Sequence, residues 1–406
     1  MTEPAPRTAE PRRPARIVVV GAGLAGLSTA RALRSGGHDG PLTVVGAEPH
    51  RPYDRTPLSK ELLTGALTEA DLLLERPHED LDVDWRLGRP AVRLETGPDG
   101  HRVVLADGTA LSADAVVLAT GARARSLGAE LPEPGRRTGV HTLRTLDDAR
   151  ALLPELEPGR RLVVIGAGFV GSEIASSAHS RGVDVTVLEA APAPLSVPLG
   201  AEAGELVAGL HAAHGVTLRV GAAVAGIVGE DRVTGVALAD GEVVPADVVV
   251  IGIGARPDVD WLAGSGVRTG PDGVRCDATG ATTVPGVYAL GDCACWFDPA
   301  LGRHHRVEHW TDAKDRGPVV AAALLGAAPV APRAPYFWSD QYGTKIQFAG
   351  RRHGDETLVV EHRDDDGLFA TYRRDGAVTA ALAVGRQPEF ARLRKRLAAG
   401  PVVLTA

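Results

Sequence analysis

The chain has 406 residues, of which 44% are hydrophobic and 23% charged, and carries a net charge of −7 at pH 7. That length exceeds one ordinary core and predicts two or three domains, and the apolar content excludes a disordered chain. The acidic balance argues against a nucleic-acid binder, which needs a concentrated basic surface. Three cysteines, Cys276, Cys293 and Cys295, cannot all pair as disulfides and are too few for an all-cysteine iron-sulfur cluster.

The stretch Met1 to Arg16 is rich in Pro, Arg and Glu, lacks an apolar core of signal-peptide length, and is expected to be a disordered leader. No run of about twenty apolar residues occurs, so no membrane span is predicted and cytoplasm is the expected compartment. From Ile17 to Val20 the chain reads as a buried strand, followed by the turn Gly21-Ala22-Gly23-Leu24-Ala25-Gly26, a helix to about Ser35, and a second buried strand, Leu42–Val45. Extra residues between Pro49 and Leu73 follow. A short strand ending in Asp107-Gly108 comes next, and the module closes on Ala115–Thr120 and Gly121.

The same order then returns. Arg161–Ile165 leads into Gly166-Ala167-Gly168-Phe169-Val170-Gly171, a helix through about Ser180, and the strand Val185–Glu189. Another short strand ends in Asp240-Gly241, and Val248–Ile251 runs into Gly252 and Gly254. The module is therefore duplicated.

A single G-x-G-x-x-G is weak evidence, but each copy here sits between a buried strand and a helix. The first glycine makes the tight turn, the second lets backbone N–H groups approach a pyrophosphate, and the third lets the helix pack on the strand. The helix N-terminus favours the phosphate charge. Glu189 ends the second strand of the second copy, where a carboxylate accepts hydrogen bonds from the adenosine ribose; no arginine follows to hold a 2′-phosphate, so NADH is expected over NADPH. In the first copy the equivalent position is Gly46, and the nearest acid, Glu48, is a ribose candidate two residues late.

Four further stretches are more specific: Glu48–Lys60 with Arg51-Pro52-Tyr53-Asp54-Arg55-Thr56-Pro57-Leu58-Ser59-Lys60; Val284–Asp292 with Tyr288-Ala289-Leu290-Gly291-Asp292; Arg306-Val307-Glu308-His309-Trp310; and Pro335-Tyr336-Phe337-Trp338-Ser339-Asp340-Gln341. Through them the chain resembles the FAD-dependent ferredoxin reductases of oxygenase and cytochrome P450 systems, over nearly all of residues 16 to 400. The resemblance implies an α/β, glutathione-reductase-like flavoprotein with two Rossmann-like dinucleotide-binding domains and a small C-terminal α+β domain. Residues 14–124 and 255–332 would form a discontinuous FAD domain, 125–254 the NAD domain and 333–406 the C-terminal domain, with strands such as Leu358–Glu361 and Leu368–Tyr372 and a helix from about Pro388 to Leu397.

The resemblance also implies site residues. Arg55, Pro57 and Lys60 lie along FAD, with Lys60 near the reactive edge of the flavin, where a cation stabilises charge on the reduced ring. Glu173 resembles the glutamate that pairs with this lysine, and Asp292, beside Gly291, the aspartate that holds the ribityl chain. Trp310 resembles the aromatic near the flavin and nicotinamide, so Lys60, Glu173 and Trp310 are the catalytic candidates. Further cofactor-binding candidates are Gly21, Gly23, Ala25, Gly26, Ala119, Thr120, Gly121, Arg123, Glu308 and His309, with Gly166, Gly168, Val170, Gly171, Gly252 and Gly254 in the second copy.

The reaction implied is hydride transfer from NADH to FAD, then single electrons to a [2Fe-2S] ferredoxin serving an oxygenase or a cytochrome P450. One alternative is a flavin disulfide or peroxide reductase, disfavoured because residues 47–75 contain no cysteine; another is a non-catalytic NADH-sensing flavoprotein. Cys293 and Cys295 are expected to be packing residues, and His304, His305 and His309 lack the partners of a metal site. Arg392, Arg394, Lys395 and Arg396 are candidates for docking the partner. Thr344, in Tyr342-Gly343-Thr344-Lys345, departs from the more usual aliphatic residue and leaves partner preference open.

Overall fold

The strand Ile17–Val20 pairs in parallel with Leu42–Val45 on one side and Ala115–Leu118 on the other. Asp84–Arg86 extends the first edge and Val287–Ala289 the second, giving a five-stranded parallel sheet. A parallel sheet covered on both faces needs strands apolar throughout, and Ile17–Val20 and Ala115–Leu118 are buried at every residue. This computed structural model describes residues 13–127, 138–330, 333–398 and 400–403. Most of the stretch Met1 to Arg16, expected to be a leader, lies outside the described residues.

The described residues divide into two units: those within Met1–Tyr53, Glu75–Gly121 and Pro257–Pro332 in the first, and those within Asp54–Leu74, Ala122–Arg256 and Arg333–Ala406 in the second. In the first unit the helix Leu24–Ser35 lies against Trp310–Leu325. Small residues allow the approach: a Cβ on Gly317 would meet Ser28 Oγ at 2.4 Å, and the Ser28 hydroxyl donates to the carbonyl of Lys314 at 2.6 Å. A short antiparallel sheet, Ala91–Gly97, Gly100–Leu105 and Ala110–Ala113, completes the early module.

The second unit repeats the plan. Arg161–Ile165 pairs with Asp184–Glu189 and Val248–Ile251, Thr217–Val220 extends one edge and Val140–His141 the other, all in parallel. Its own antiparallel sheet is Val224–Val228, Gly235–Leu238 and Val243–Pro245. The duplication read from the sequence is thus a duplication of topology, except that the fifth strand comes from after the module in one unit and from before it in the other.

The segment Asp54–Leu74, where the extra residues were expected, forms three short helical turns, Thr56–Ser59, Glu61–Thr64 and Glu69–Leu72, and packs within the second unit. The same unit carries an antiparallel sheet in the order Tyr336–Gln341, Thr344–Gly350, Ala377–Gly385, Gly367–Arg374, Thr357–Asp364. The helix Gln387–Leu397 buries Phe390, Leu393 and Leu397 against it. Tyr342 and Gly343, at φ of 52° and 73°, form the two-residue hairpin turn between its first two strands.

Candidate functional site

Each glycine turn shows a division of labour among its three glycines. Gly21 has φ of 126°, and a Cβ there would lie 2.0 Å from the carbonyl oxygen of Ala119. A Cβ on Gly26 would lie 1.9 Å from the carbonyl oxygen of Gly21, so both positions exclude any side chain. Around Gly23 nothing stands within 4 Å. The second turn repeats this: Cβ atoms on Gly166 and Gly171 would meet the carbonyl oxygens of Gly252 and Gly166 at 2.5 and 2.2 Å, while Gly168 faces only one atom, at 4.0 Å.

Gly23 and Gly168 are also the N-caps of the helices Leu24–Ser35 and Phe169–Ser180, and no side chain caps either one. Each helix N-terminus is therefore left uncapped by side chains beside a residue whose Cβ position is open, which suits the close approach of a pyrophosphate. The residues present fit a dinucleotide at both turns.

Register fixes the acid positions. Val20 pairs with Val45 and Ile165 with Leu188, so Gly46 and Glu189 are equivalent, each one residue past its strand partner. A Cβ on Gly46 would lie 2.8 Å from the Cβ of Ala22 in the glycine turn. Glu189 accepts hydrogen bonds from the N–H of Ala167 at 2.9 Å and of Ala191 at 2.8 Å, which holds its carboxylate beside the second turn. Glu48 accepts from the hydroxyl of Tyr53 at 2.5 Å.

The late strand Val287–Ala289 delivers Gly291 and Asp292 to the first turn. Gly291 has φ of 72°, and a Cβ on it would lie 3.1 Å from Ala25, in the first turn of the helix. Arg306 donates to the carbonyl of Asp292 at 3.3 Å and pairs with Glu308. Thr120 donates to the carbonyl of Asp258 at 2.6 Å, and Gly121 accepts from the N–H of Asp258, which ties down the end of the closing strand. His309 caps the helix that Trp310 begins. Burial holds its imidazole down to about 4, so it is neutral at pH 7. Lys314 places its ammonium 5.1 Å from the centre of the Trp310 ring.

In the second unit, Lys60 Nζ donates to Glu173 Oε2 at 3.1 Å. Two contacts not foreseen from sequence complete the arrangement: Ser59 donates to Oε2, and Ser339 to Oε1 at 2.6 Å. Both serines stand inside stretches already singled out, so the signal was present without the geometry. Arg55 donates to the carbonyl of Arg144 at 2.7 Å, and Pro57 opens the turn Thr56–Ser59. Val170 is exposed beside Gly171, Arg123 is exposed in the strand Ala122–Ala124, and Gly254 turns at φ of 92°.

The expected site residues are thus divided. Gly21, Gly23, Ala25, Gly26, Glu48, Ala119, Thr120, Gly121, Gly291, Asp292, Glu308, His309 and Trp310 belong to the first unit. Arg55, Pro57, Lys60, Arg123, Glu173, Glu189 and the second glycine set belong to the other.

The three thiols are free and buried. Cys293 donates to the carbonyls of Leu290 and Leu118 at 3.3 and 3.5 Å, and burial pushes its thiol up to about 11. Burial raises Cys276 and Cys295 as well, so none is a thiolate nucleophile near neutral pH. No described helix is long and apolar enough to cross a membrane.

Comparison with known proteins agrees with this geometry. The family model for pyridine nucleotide-disulphide oxidoreductases matches residues 15–317, and the model for the reductase C-terminal domain matches residues 336–406. The chain is 39% identical to the ferredoxin reductase component of chlorobenzene dioxygenase from Cupriavidus sp. (strain PS12), over 92% of this chain and 90% of that protein. It is also 39% identical to rhodocoxin reductase from Rhodococcus erythropolis, over 88% and 83%. Among solved structures, the covalent putidaredoxin reductase-putidaredoxin complex superposes with a TM-score of 0.90 at 31% identity, covering 95% of this chain and 93% of that one. The repeated nucleotide turns, the antiparallel C-terminal sheet and these matches together make the chain a member of the pyridine nucleotide-disulphide oxidoreductase family, with a reductase C-terminal domain.

Proposed function

We propose that this chain is an NADH-dependent ferredoxin reductase. It takes hydride from NADH onto FAD and passes electrons singly to a [2Fe-2S] ferredoxin, which serves an oxygenase or a cytochrome P450. The observation that carries the reading is the pair of glycine turns, each with two positions closed by backbone and a middle position open at an uncapped helix N-terminus. When bound, FAD supplies the conversion of a two-electron donor into a one-electron source.

The chain's own residues divide the remaining work. Gly21, Gly23 and Gly26 cradle the FAD pyrophosphate, Glu48 takes its ribose, and Asp292 and Thr120 hold its remaining length, with Arg55, Pro57 and Lys60 as further contacts. Gly166, Gly168 and Gly171 cradle that of NADH, and Glu189 accepts from its adenosine ribose and repels a 2′-phosphate. Lys60, oriented by Glu173, would supply a positive charge beside bound flavin. Trp310 provides an aromatic face for the rings. Residues 14–124 with 255–332 are assigned to FAD, 125–254 to NADH and 333–406 to the C-terminal domain. The three free thiols and the use of NADH support a cytoplasmic location.

Disulfide reduction finds no support, because every cysteine is buried with a raised pKa. The test is direct. The purified chain should carry oxidised-flavin absorbance that NADH bleaches, and cytochrome c reduction should require an added [2Fe-2S] ferredoxin. A colourless chain that cannot be reconstituted removes the FAD assignment, and bleaching without transfer to any ferredoxin supports NADH sensing instead.

A further inference from the structure

We infer that Ser339, in the C-terminal sheet, is a positioning residue for the Lys60–Glu173 pair and hence for flavin reduction; the inference rests on the function proposed above. The strand Tyr336–Gln341 buries alternate residues, Phe337, Ser339 and Gln341. A strand presents every second side chain to one face, whereas a helix presents residues spaced three and four apart. The two periods meet on the helix Phe169–Ser180. Phe337 packs edge to face on Phe169 with centroids 4.8 Å apart, Ser339 donates to Glu173, and the N–H of Tyr342 donates to Ser176 Oγ at 2.7 Å.

The same helix is also pinned by the turn Thr56–Ser59 and by Lys60, which follows it. Ser59 and Lys60 both donate to Glu173 Oε2, and Ser177 donates to the carbonyl of Ser59 at 2.8 Å. Glu173 is 5% exposed and Ser339 0%. The Ser339 hydroxyl has one proton, spent on Glu173 Oε1, and accepts from Gln341 Nε2 at 3.1 Å, so its direction is set. Ser59 and Lys60 share one carboxylate oxygen, and Ser339 donates to the other. Without it the terminal torsion of the carboxylate is set only by Ser59 and Lys60 on Oε2, and the direction in which that oxygen holds the Lys60 ammonium is less fixed.

The test compares Ser339→Ala, Ser339→Thr and Glu173→Gln, singly and combined. Loss of a hydrogen bond to a buried charged group predicts that Ser339→Ala slows NADH bleaching of bound FAD about 10-fold, with FAD content and the KM for NADH kept. Ser339→Thr, which retains the hydroxyl, should recover to within about 2-fold, and in the Glu173→Gln background Ser339→Ala should slow bleaching by less than about 2-fold. The midpoint potential of bound FAD should fall in Ser339→Ala as Lys60 loses its fixed place, and thermal unfolding of the FAD-free chain should show the same coupling between positions 339 and 173. Independent effects at the two positions, or a Ser339→Ala variant that keeps wild-type rate and potential, would overturn the inference. Wild-type protein that is not reduced by NADH at all would instead overturn the proposed function.

Discussion

The N–H of Ala167, inside the second glycine turn, donates to the carboxylate of Glu189 across 2.9 Å. The residue proposed to select the cofactor therefore also braces the second glycine turn. Glu189→Arg is expected to lower the NADH to NADPH ratio of kcat/KM by about 100-fold, and to lower NADH turnover itself because the Ala167 and Ala191 amides lose their acceptor. Steady-state kinetics with both nucleotides check this, and an unchanged ratio would remove the ribose role.

The glycine turns separate binding from folding. Gly26→Ala drives a Cβ against the carbonyl of Gly21 and is expected to cost about 3 kcal/mol or more, read as lower expression and a lower Tm. Gly23→Ala meets open space and should leave the FAD-free chain within about 0.5 kcal/mol of wild type while weakening FAD binding at least about 10-fold. Chemical denaturation and FAD titration of the same two variants distinguish the effects; equal FAD affinity in Gly23→Ala would mean that no phosphate occupies that space.

Acid should weaken the second unit through His211, which is buried between Tyr342 Oη at 2.7 Å and Ser172 Oγ at 3.2 Å. Burial, and then the neighbouring His214, lower its pKa to about 4. Because the folded value lies below the unfolded value of about 6.5, the stabilisation from neutral His211 is complete above that value and is lost as pH falls toward 4. Urea unfolding at pH 7 and pH 5 should show up to about 2 kcal/mol of loss that His211→Gln removes; the same loss in the variant would assign it elsewhere.

Of the four basic residues on the last helix, Arg394 lies 3.4 Å over the Tyr336 ring and Arg396 donates to the carbonyl of Val403. If this helix docks an acidic ferredoxin, Arg392→Glu and Lys395→Glu should raise the KM for ferredoxin about 5-fold at low salt and less at high salt, leaving NADH bleaching unchanged. Salt-independent effects would point to misfolding of the sheet instead.

Replacing Cys276, Cys293 and Cys295 together by alanine should leave turnover within about 2-fold of wild type, at a cost in Tm from packing. Loss of activity with FAD retained would reinstate thiol chemistry.

The sequence by itself determined both nucleotide modules, because a buried strand, a glycine turn and a helix are local patterns whose meaning survives without knowledge of distant neighbours. It also placed Glu189, whose position follows from counting along one strand. What only the tertiary structure decided are pairings between distant residues: Val287–Ala289 completing the first sheet beside Ala115–Leu118, Val140–His141 completing the second beside Val248–Ile251, and Asp54–Leu74 packing within the unit that holds the second module. The meeting of Ser59 and Ser339 on Glu173 is of the same kind, since side-chain period shows which face a residue takes but not which face of another segment it will meet. That choice is made when helix and strand pack, where buried polar groups such as the Glu173 carboxylate take partners from distant segments.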